Sequence, residues 1–244
     1  MAKNLYCPKC RTEGDSQAEF CTTCGTKLIP TMRIVIMPFV ESGQEPASLG
    51  KYKNLVERYG ELPPSLAIGC QMYVTSEADE PRLVASQKET YFTQAEKILA
   101  KMVKDSLDTV GFYETPNPKD VDLIAQEAAN MPTELFLMIQ KNYDPEYLFL
   151  PEINYFFFRY PRPLTSGAGD DRGFGFVQIS AFLLDNRENR IVGRGDGTGI
   201  ELFDHNDAAL DDNYSISAEE QAEVMEVAGA KAVIELLKNM KMVQ

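Results

Sequence analysis

Four cysteines stand in two pairs near the N-terminus, Cys7-Pro8-Lys9-Cys10 and Cys21-Thr22-Thr23-Cys24, with ten residues between the pairs. A C-x-x-C turn presents two thiolates on one side and directs its backbone amides at the sulfurs. Two such turns close a tetrahedron of soft donors about 2.3 Å from a zinc ion. Gly25 follows the second pair, where the backbone must turn tightly around the metal. The ten-residue link is long enough to hold a small hairpin between the two turns. With Cys7, Cys10, Cys21 and Cys24 all engaged, no position stays open for water, so the expected role of Zn2+ is structural. Iron, which also accepts tetrahedral thiolates, is the rival ion, and a redox dithiol is the other alternative.

The remaining candidates for chemistry are weaker. His205 is the single histidine, in Asp204-His205-Asn206-Asp207 with Asp211 and Asp212 close behind. A cation-binding loop is one reading, but the spacing does not fit a calcium loop, and a solvated acidic stretch is the expectation. Gly193-Arg194-Gly195-Asp196-Gly197-Thr198-Gly199 invites comparison with phosphate-binding loops. No lysine follows it and the next residues are extended, so alternating glycine here is expected to permit close backbone approach or a bend. Tyr155, Phe156, Phe157, Phe158 and Tyr160 form an aromatic run, read as a sheet buried on both faces or, more sharply, as a subunit contact. Cys70 lies in the mostly apolar Leu66–Val74 and reads as a buried inert thiol. No Ser/His/Asp or Cys/His arrangement can be assembled, and a protein that is not an enzyme is expected.

Composition bounds the partners. The chain has 244 residues, 44% hydrophobic and 25% charged, as in a globular protein with a real core. Its net charge is -13, divided as +2 over residues 1–33 and -15 over the rest. Four thiolates around Zn2+ cancel the small positive excess, so no basic patch is visible and nucleic acid is not the expected partner. The longest apolar stretches, Ile34–Val40 and Leu135–Ile139, fall far short of the about 18 residues a membrane span needs. Met1–Tyr6 lacks the apolar core of a secretory leader. Cysteine pairing of this kind suits a reducing compartment, and a cytoplasmic protein is expected.

The elements that must carry these residues follow from periodicity. Arg33–Phe39 is β-branched and ends near Pro38, which predicts a short buried strand, and Leu66–Thr75 predicts a second extended segment. Apolar residues recur at helical spacing from Gln87 to Val110, with Gly111 placed to cap the helix. Phe112–Glu114 predicts a short strand, and Lys119–Asn130 and Pro132–Lys141 predict two shorter helices, the latter burying Leu135, Leu137 and Met138. Glu146–Tyr160, Gly173–Asp185 and Arg190–Phe203 predict a meander, with Asp185–Asn189 as the last hairpin turn. A final helix is predicted from about Ser217, opened by a Ser217/Glu220 capping box, with Ala222, Met225, Ala228, Ala232, Leu236 and Met240 turned inward.

Two resemblances add to this reading. Phe20–Leu28 together with Cys7–Cys10 resembles the short zinc ribbons found at the N-terminus of many bacterial and archaeal proteins, which are mostly structural or protein-contacting modules; Arg11 stands where that pattern often has glycine. From Ile34 onward the chain resembles the superfamily of the curli-secretion channel protein, the lipoprotein activators of penicillin-binding proteins and the N-terminal domain of the TolB translocation protein. The opening strand Ile34–Phe39, the helix ending at Val110-Gly111-Phe112, Tyr147–Tyr155, the hairpin Leu183–Val192 and the alanine-rich last helix carry that likeness. Members are mostly non-enzymatic proteins that bind partners or assemble into rings. The expectation is an α+β protein in two parts, a zinc ribbon over residues 1–30 and a mixed sheet with helices mainly on one face over 31–244. Its expected work is to bind a protein partner or to self-associate. The alternative is a nucleic-acid-binding accessory factor acting through the ribbon.

Overall fold

The computed structural model describes residues 5–10, 12–14, 17–41, 71–72, 85–128, 132–159, 173–203 and 218–243. Three short strands, β1 (Leu5–Cys7), β2 (Thr12–Gly14) and β3 (Ile29–Pro30), form a small antiparallel sheet in the order β2-β1-β3. The second sheet contains β4 (Met32–Ile36), β5 (Val40–Glu41), β6 (Gln71–Met72), β7 (Tyr113–Glu114), β8 (Tyr147–Arg159), β9 (Gly173–Asp185) and β10 (Arg190–Phe203). Its main path runs β10-β9-β8-β4-β7, with β5 and β6 pairing farther along β8. β8, β9 and β10 are antiparallel neighbours, whereas β4 is parallel to both β8 and β7. Parallel pairs need crossovers, supplied by helix α1 (Ala85–Val110) between β4 and β7, and by α2 (Pro118–Glu127) and α3 (Pro132–Tyr143) between β7 and β8. Helix α4 (Ala218–Asn239) ends the chain. The class is α+β, as the order of elements predicts.

The alternation of β4 explains why the sheet is covered twice. Ile34 and Ile36 join Phe149, Ile153, Val177 and Ile179 in a core under the two long helices α1 and α4. Val35 and Met37 point the other way, with Leu148, into a smaller core closed by Val121 of α2 and Ile139 of α3. The long helices thus share one face, and the short pair covers the other beside β4. On α3 the inward residues are Leu135, Ile139 and Tyr143, one per turn, while the expected Leu137 is exposed. Helix α4 buries Met225, Ala228, Ala232 and Leu236 as expected. It also buries Val224, Val233 and Leu237, because it packs against α1 as well as the sheet, and Ala222 at its start is exposed. The expected capping box at Ser217 and most of the extended segment around Leu66–Thr75 lie outside the described residues.

Three residues of the aromatic run, Tyr155, Phe156 and Phe158, are interior. The register of β8 against β9 shifts between Ile153 and Tyr155, a bulge that brings Ile153, Phe156 and Phe158 into the same core. Tyr155 is buried on the opposite face, edge-on to Phe176. These three aromatics are therefore spent inside the chain, which removes them as the subunit contact that their enrichment suggested.

Glycines 195, 197 and 199 of β10 form a track beneath α4. A Cβ on Gly197 would lie 2.0 Å from the Ala232 carbonyl oxygen, and one on Gly199 would lie 1.8 Å from that of Ala228. The helix backbone rests directly on the strand, so the alternating glycines serve packing, and nucleotide phosphates have no access to that face. Side chains from the same helix reach past the strand to its outer border. Lys231 Nζ donates to the Ile200 carbonyl at 3.1 Å, the Thr198 N–H donates to Glu235 Oε2 at 2.7 Å, and Asn239 Nδ2 donates to the Asp196 carbonyl at 2.7 Å. Lys231 also pairs with Glu201.

Gly199→Ala is expected to destabilise the fold by about 3 kcal/mol, since helix backbone cannot yield as a side chain can. Gly193→Ala, whose new Cβ would meet nothing nearer than Leu183 Cβ at 3.4 Å, is expected to be close to neutral. Urea unfolding of the two variants checks this; equal midpoints would show that α4 does not sit on the track.

Candidate metal centre

The four N-terminal cysteines converge although three segments supply them. Cys7 ends β1 and Cys10 closes the turn into β2, whose residues Thr12 and Glu13 pair back with Cys7 and Tyr6. The small hairpin therefore surrounds the first C-x-x-C pair instead of lying between the pairs. The second pair sits in a tight loop, where the Cys21 N–H donates to the Thr26 carbonyl and the Gly25 N–H to the Cys21 carbonyl, both at 2.8 Å. Gly25 takes φ +70, a conformation that a residue with a side chain rarely adopts. Cys7 and Cys21 are buried with Leu28, and Leu5, Cys10, Ala18 and Cys24 pack around them. Gly14 makes room for Leu28, whose Cδ1 would stand 2.5 Å from a Cβ there.

All four Sγ atoms lie within 4.8 Å of one another. Cys7 Sγ is 3.5 Å from Cys24 Sγ, and Cys21 Sγ is 3.9 Å from Cys10 Sγ. The Cys10 N–H donates to Cys7 Sγ at 3.3 Å, as a metal-binding turn requires. Crowding drives the thiols apart in acidity. Cys24 is lowered to about 6, chiefly by the Thr26 hydroxyl 3.2 Å from its sulfur. Cys21 is lowered by the backbone N–H groups of Thr23 and Cys24. Cys10 is pushed up to about 12, first by its contact with Cys24. Four sulfurs this close cannot all carry charge alone, and a divalent cation at their centre removes the conflict. The donor set fits a soft or borderline metal, and the four thiolates fill a tetrahedral shell.

The cysteine cluster is joined to the larger sheet. Ile29–Pro30 pairs with β1, and Met32 two residues on opens β4, its N–H donating to the Phe112 carbonyl at 3.0 Å. Thr31 Oγ1 donates to Glu114 Oε1 at 2.7 Å. Buried Glu146 at the start of β8 accepts from Arg187 Nη2 at 2.7 Å, and its backbone N–H donates to the Arg33 carbonyl at 3.0 Å. The Asp185 carboxylate accepts from the N–H groups of Arg187 and Glu188 at 2.9 and 3.0 Å, which forms the expected hairpin turn.

Compared with known proteins, the chain stands apart in sequence. It matches no family model and no curated protein. Solved structures similar to it include protein XCC0632 of Xanthomonas campestris, described under DUF330, at 10% identity over 87% of this chain and 85% of that one, with a TM-score of 0.45. Another is the PelC dodecamer of Paraburkholderia phytofirmans, at 9% identity over 88% and 89%, with a TM-score of 0.34. A third is lipoprotein GNA1162 of Neisseria meningitidis, at 9% identity over 72% and 88%, with a TM-score of 0.32. Likeness at this level carries no role over to this chain, whose site is read from its own residues.

Of the other sequence candidates, His205, Asp207, Asp211, Asp212 and Cys70 lie outside the described residues. One acidic pair that spacing did not reveal is formed by tertiary packing. Burial raises Glu96 on α1 to about 7, the Asp122 carboxylate of α2 adds to the shift, and the Phe39 N–H and Lys97 oppose it. Asp122 is itself raised by burial. Because the folded chain holds the Glu96 proton above its ordinary value of 4.5, the stability this group gives is present below about 4.5 and is lost as pH rises to about 7. Glu96→Gln keeps an acceptor for Phe39 without the charge. Thermal unfolding is expected to show the variant more stable than the parent near pH 8 and equal to it near pH 4.5. Equal midpoints at both values would mean that Glu96 is solvated.

Proposed function

We propose that the N-terminal cluster binds one Zn2+ as a structural ion and that the protein works without catalysis, by holding a protein partner or further copies of itself. The observation that carries the metal half is the meeting of four sulfurs within 4.8 Å, with all donors supplied by the chain. A shell filled by protein ligands leaves a zinc ion no position for substrate or water, so the metal's contribution is to folding. Zinc is favoured over iron because the donors suit it and because neither redox change nor an open site is needed to hold a ribbon of this size. Thiols gathered for a metal rather than bridged favour a reducing compartment, and we place the protein in the cytoplasm on that ground.

Support for the binding half comes from the surface. Leu123 on α2 and Leu137 on α3 are 63% and 65% exposed, the two most exposed large apolar side chains among the described residues. Neither serves the core beneath these helices, which Val121 and Ile139 fill. A net charge of -13 favours partners with basic faces over nucleic acid.

A native mass spectrum of the purified chain tests both halves together. One zinc per chain is expected, and Cys7→Ser should abolish its retention. A chain that folds with no metal would sink the ribbon reading, and hydrolysis of any nucleotide or ester by the pure protein would sink the non-catalytic one.

A further inference from the structure

Tyr6 stands immediately before the ligand Cys7, yet its side chain serves the larger sheet's longest crossover helix. The residue is 3% exposed, and its hydroxyl donates to the carbonyl of Val110, the last residue of α1. The final carbonyls of a helix have no partner within it, and a buried one must find a donor elsewhere. The ring lies over Gly111, where a Cβ would meet Tyr6 Cε2 at 2.8 Å and the hydroxyl oxygen at 3.2 Å, and it stands 6.2 Å from the Phe112 ring between centroids. Gly111 has φ +73, which ends the helix and clears the seat. Tyr6 is therefore the distal half of a helix cap, supplied by a residue 104 positions away.

What holds Tyr6 in place is β1, and what holds β1 is the cysteine cluster. The buried apolar residues of that cluster are Cys7, Cys21 and Leu28, far too few to order a free-standing module. Its order must come from the metal, as in other small metal-dependent folds. We infer that metal occupancy of the four cysteines is transmitted through Tyr6 to the C-terminal end of α1, so that the ribbon acts as a metal-responsive clamp on the α+β part. This inference rests on the metal reading proposed above. Linkage makes it reciprocal: metal binding and seating of Tyr6 favour each other by the same factor, so loosening the seat must weaken metal binding.

The test uses the full chain and Zn2+ itself. Amide hydrogen exchange is followed with Zn2+ bound and after its removal by a chelator, in the parent and in Tyr6→Phe, which keeps the ring and loses only the hydroxyl. Metal removal is expected to speed exchange over residues 107–112 as well as 5–30. Tyr6→Phe is expected to speed it over 107–112 with metal present, and to weaken Zn2+ binding about two- to tenfold in competition with a chromophoric chelator. Exchange changes confined to residues 5–30, or parental Zn2+ affinity in Tyr6→Phe, would overturn the clamp and leave the metal site standing. A parent chain that takes up no Zn2+ would overturn both.

Discussion

The direct seating of α4 on β10 governs the architecture. Packed layers are ordinarily held apart by the side chains between them, by about 10 Å for two stacked sheets. Here glycine alternates on the strand and alanine recurs on the helix at Ala228 and Ala232, so backbone meets backbone. Drawing α4 down brings Val233 and Leu237 into the common core and leaves α1 so close that a Cβ on Gly229 would lie 3.3 Å from Leu99 Cδ2 and 3.4 Å from Met102 Sδ. The mixed sheet gains a cover of two long helices, and the buried residues Ile34–Ile36 of β4 lie beneath the crossover that leads to β7.

A second constraint works at the opposite end of the chain. Too few apolar residues surround the cysteines for the hydrophobic effect to order the N-terminal sheet, and Gly14 and Gly25 each answer a local demand of shape. Gly14 clears Leu28, and Gly25 turns the second C-x-x-C loop. That economy suits a module whose cohesion is assigned to an ion. Thr31, through Glu114, and the buried Tyr6, through Val110 and the Phe112 ring, then join it to the larger sheet.

Much of this could be read from the residues alone, wherever the signal was local. Apolar and aromatic composition, with partial alternation in β9, placed the three long strands β8, β9 and β10, the hairpin at Asp185–Asn189 followed from its turn residues, and Gly111 marked the end of α1. The two cysteine pairs announced their own meeting. Faces were harder to read than elements. Helix α3 turns Ile139 inward and Leu137 outward, since a narrow inward stripe cannot hold residues two apart. The bulge near Asn154 re-phases β8 without any glycine or proline at that residue to signal it. Contacts made only by the fold left no trace at all. Tyr6 meets Val110 across 104 positions, and Glu96 meets Asp122 through packing of two helices, so no window of sequence holds either pair.

Lys231, Glu235 and Asn239 follow one another at single-turn intervals along α4 and engage Ile200, Thr198 and Asp196 at alternate positions of the border strand. Each takes a main-chain group that faces away from β9, so three of the outward polar groups in the middle of the strand are answered from within the chain. The other border of the main path, β7, is only two residues long. Copies of this protein that gathered side by side would therefore find the middle of β10 already engaged and β7 too short to extend far. Contact through helix surfaces is the geometry such borders favour, and units joined that way come apart without breaking a shared ladder of main-chain hydrogen bonds.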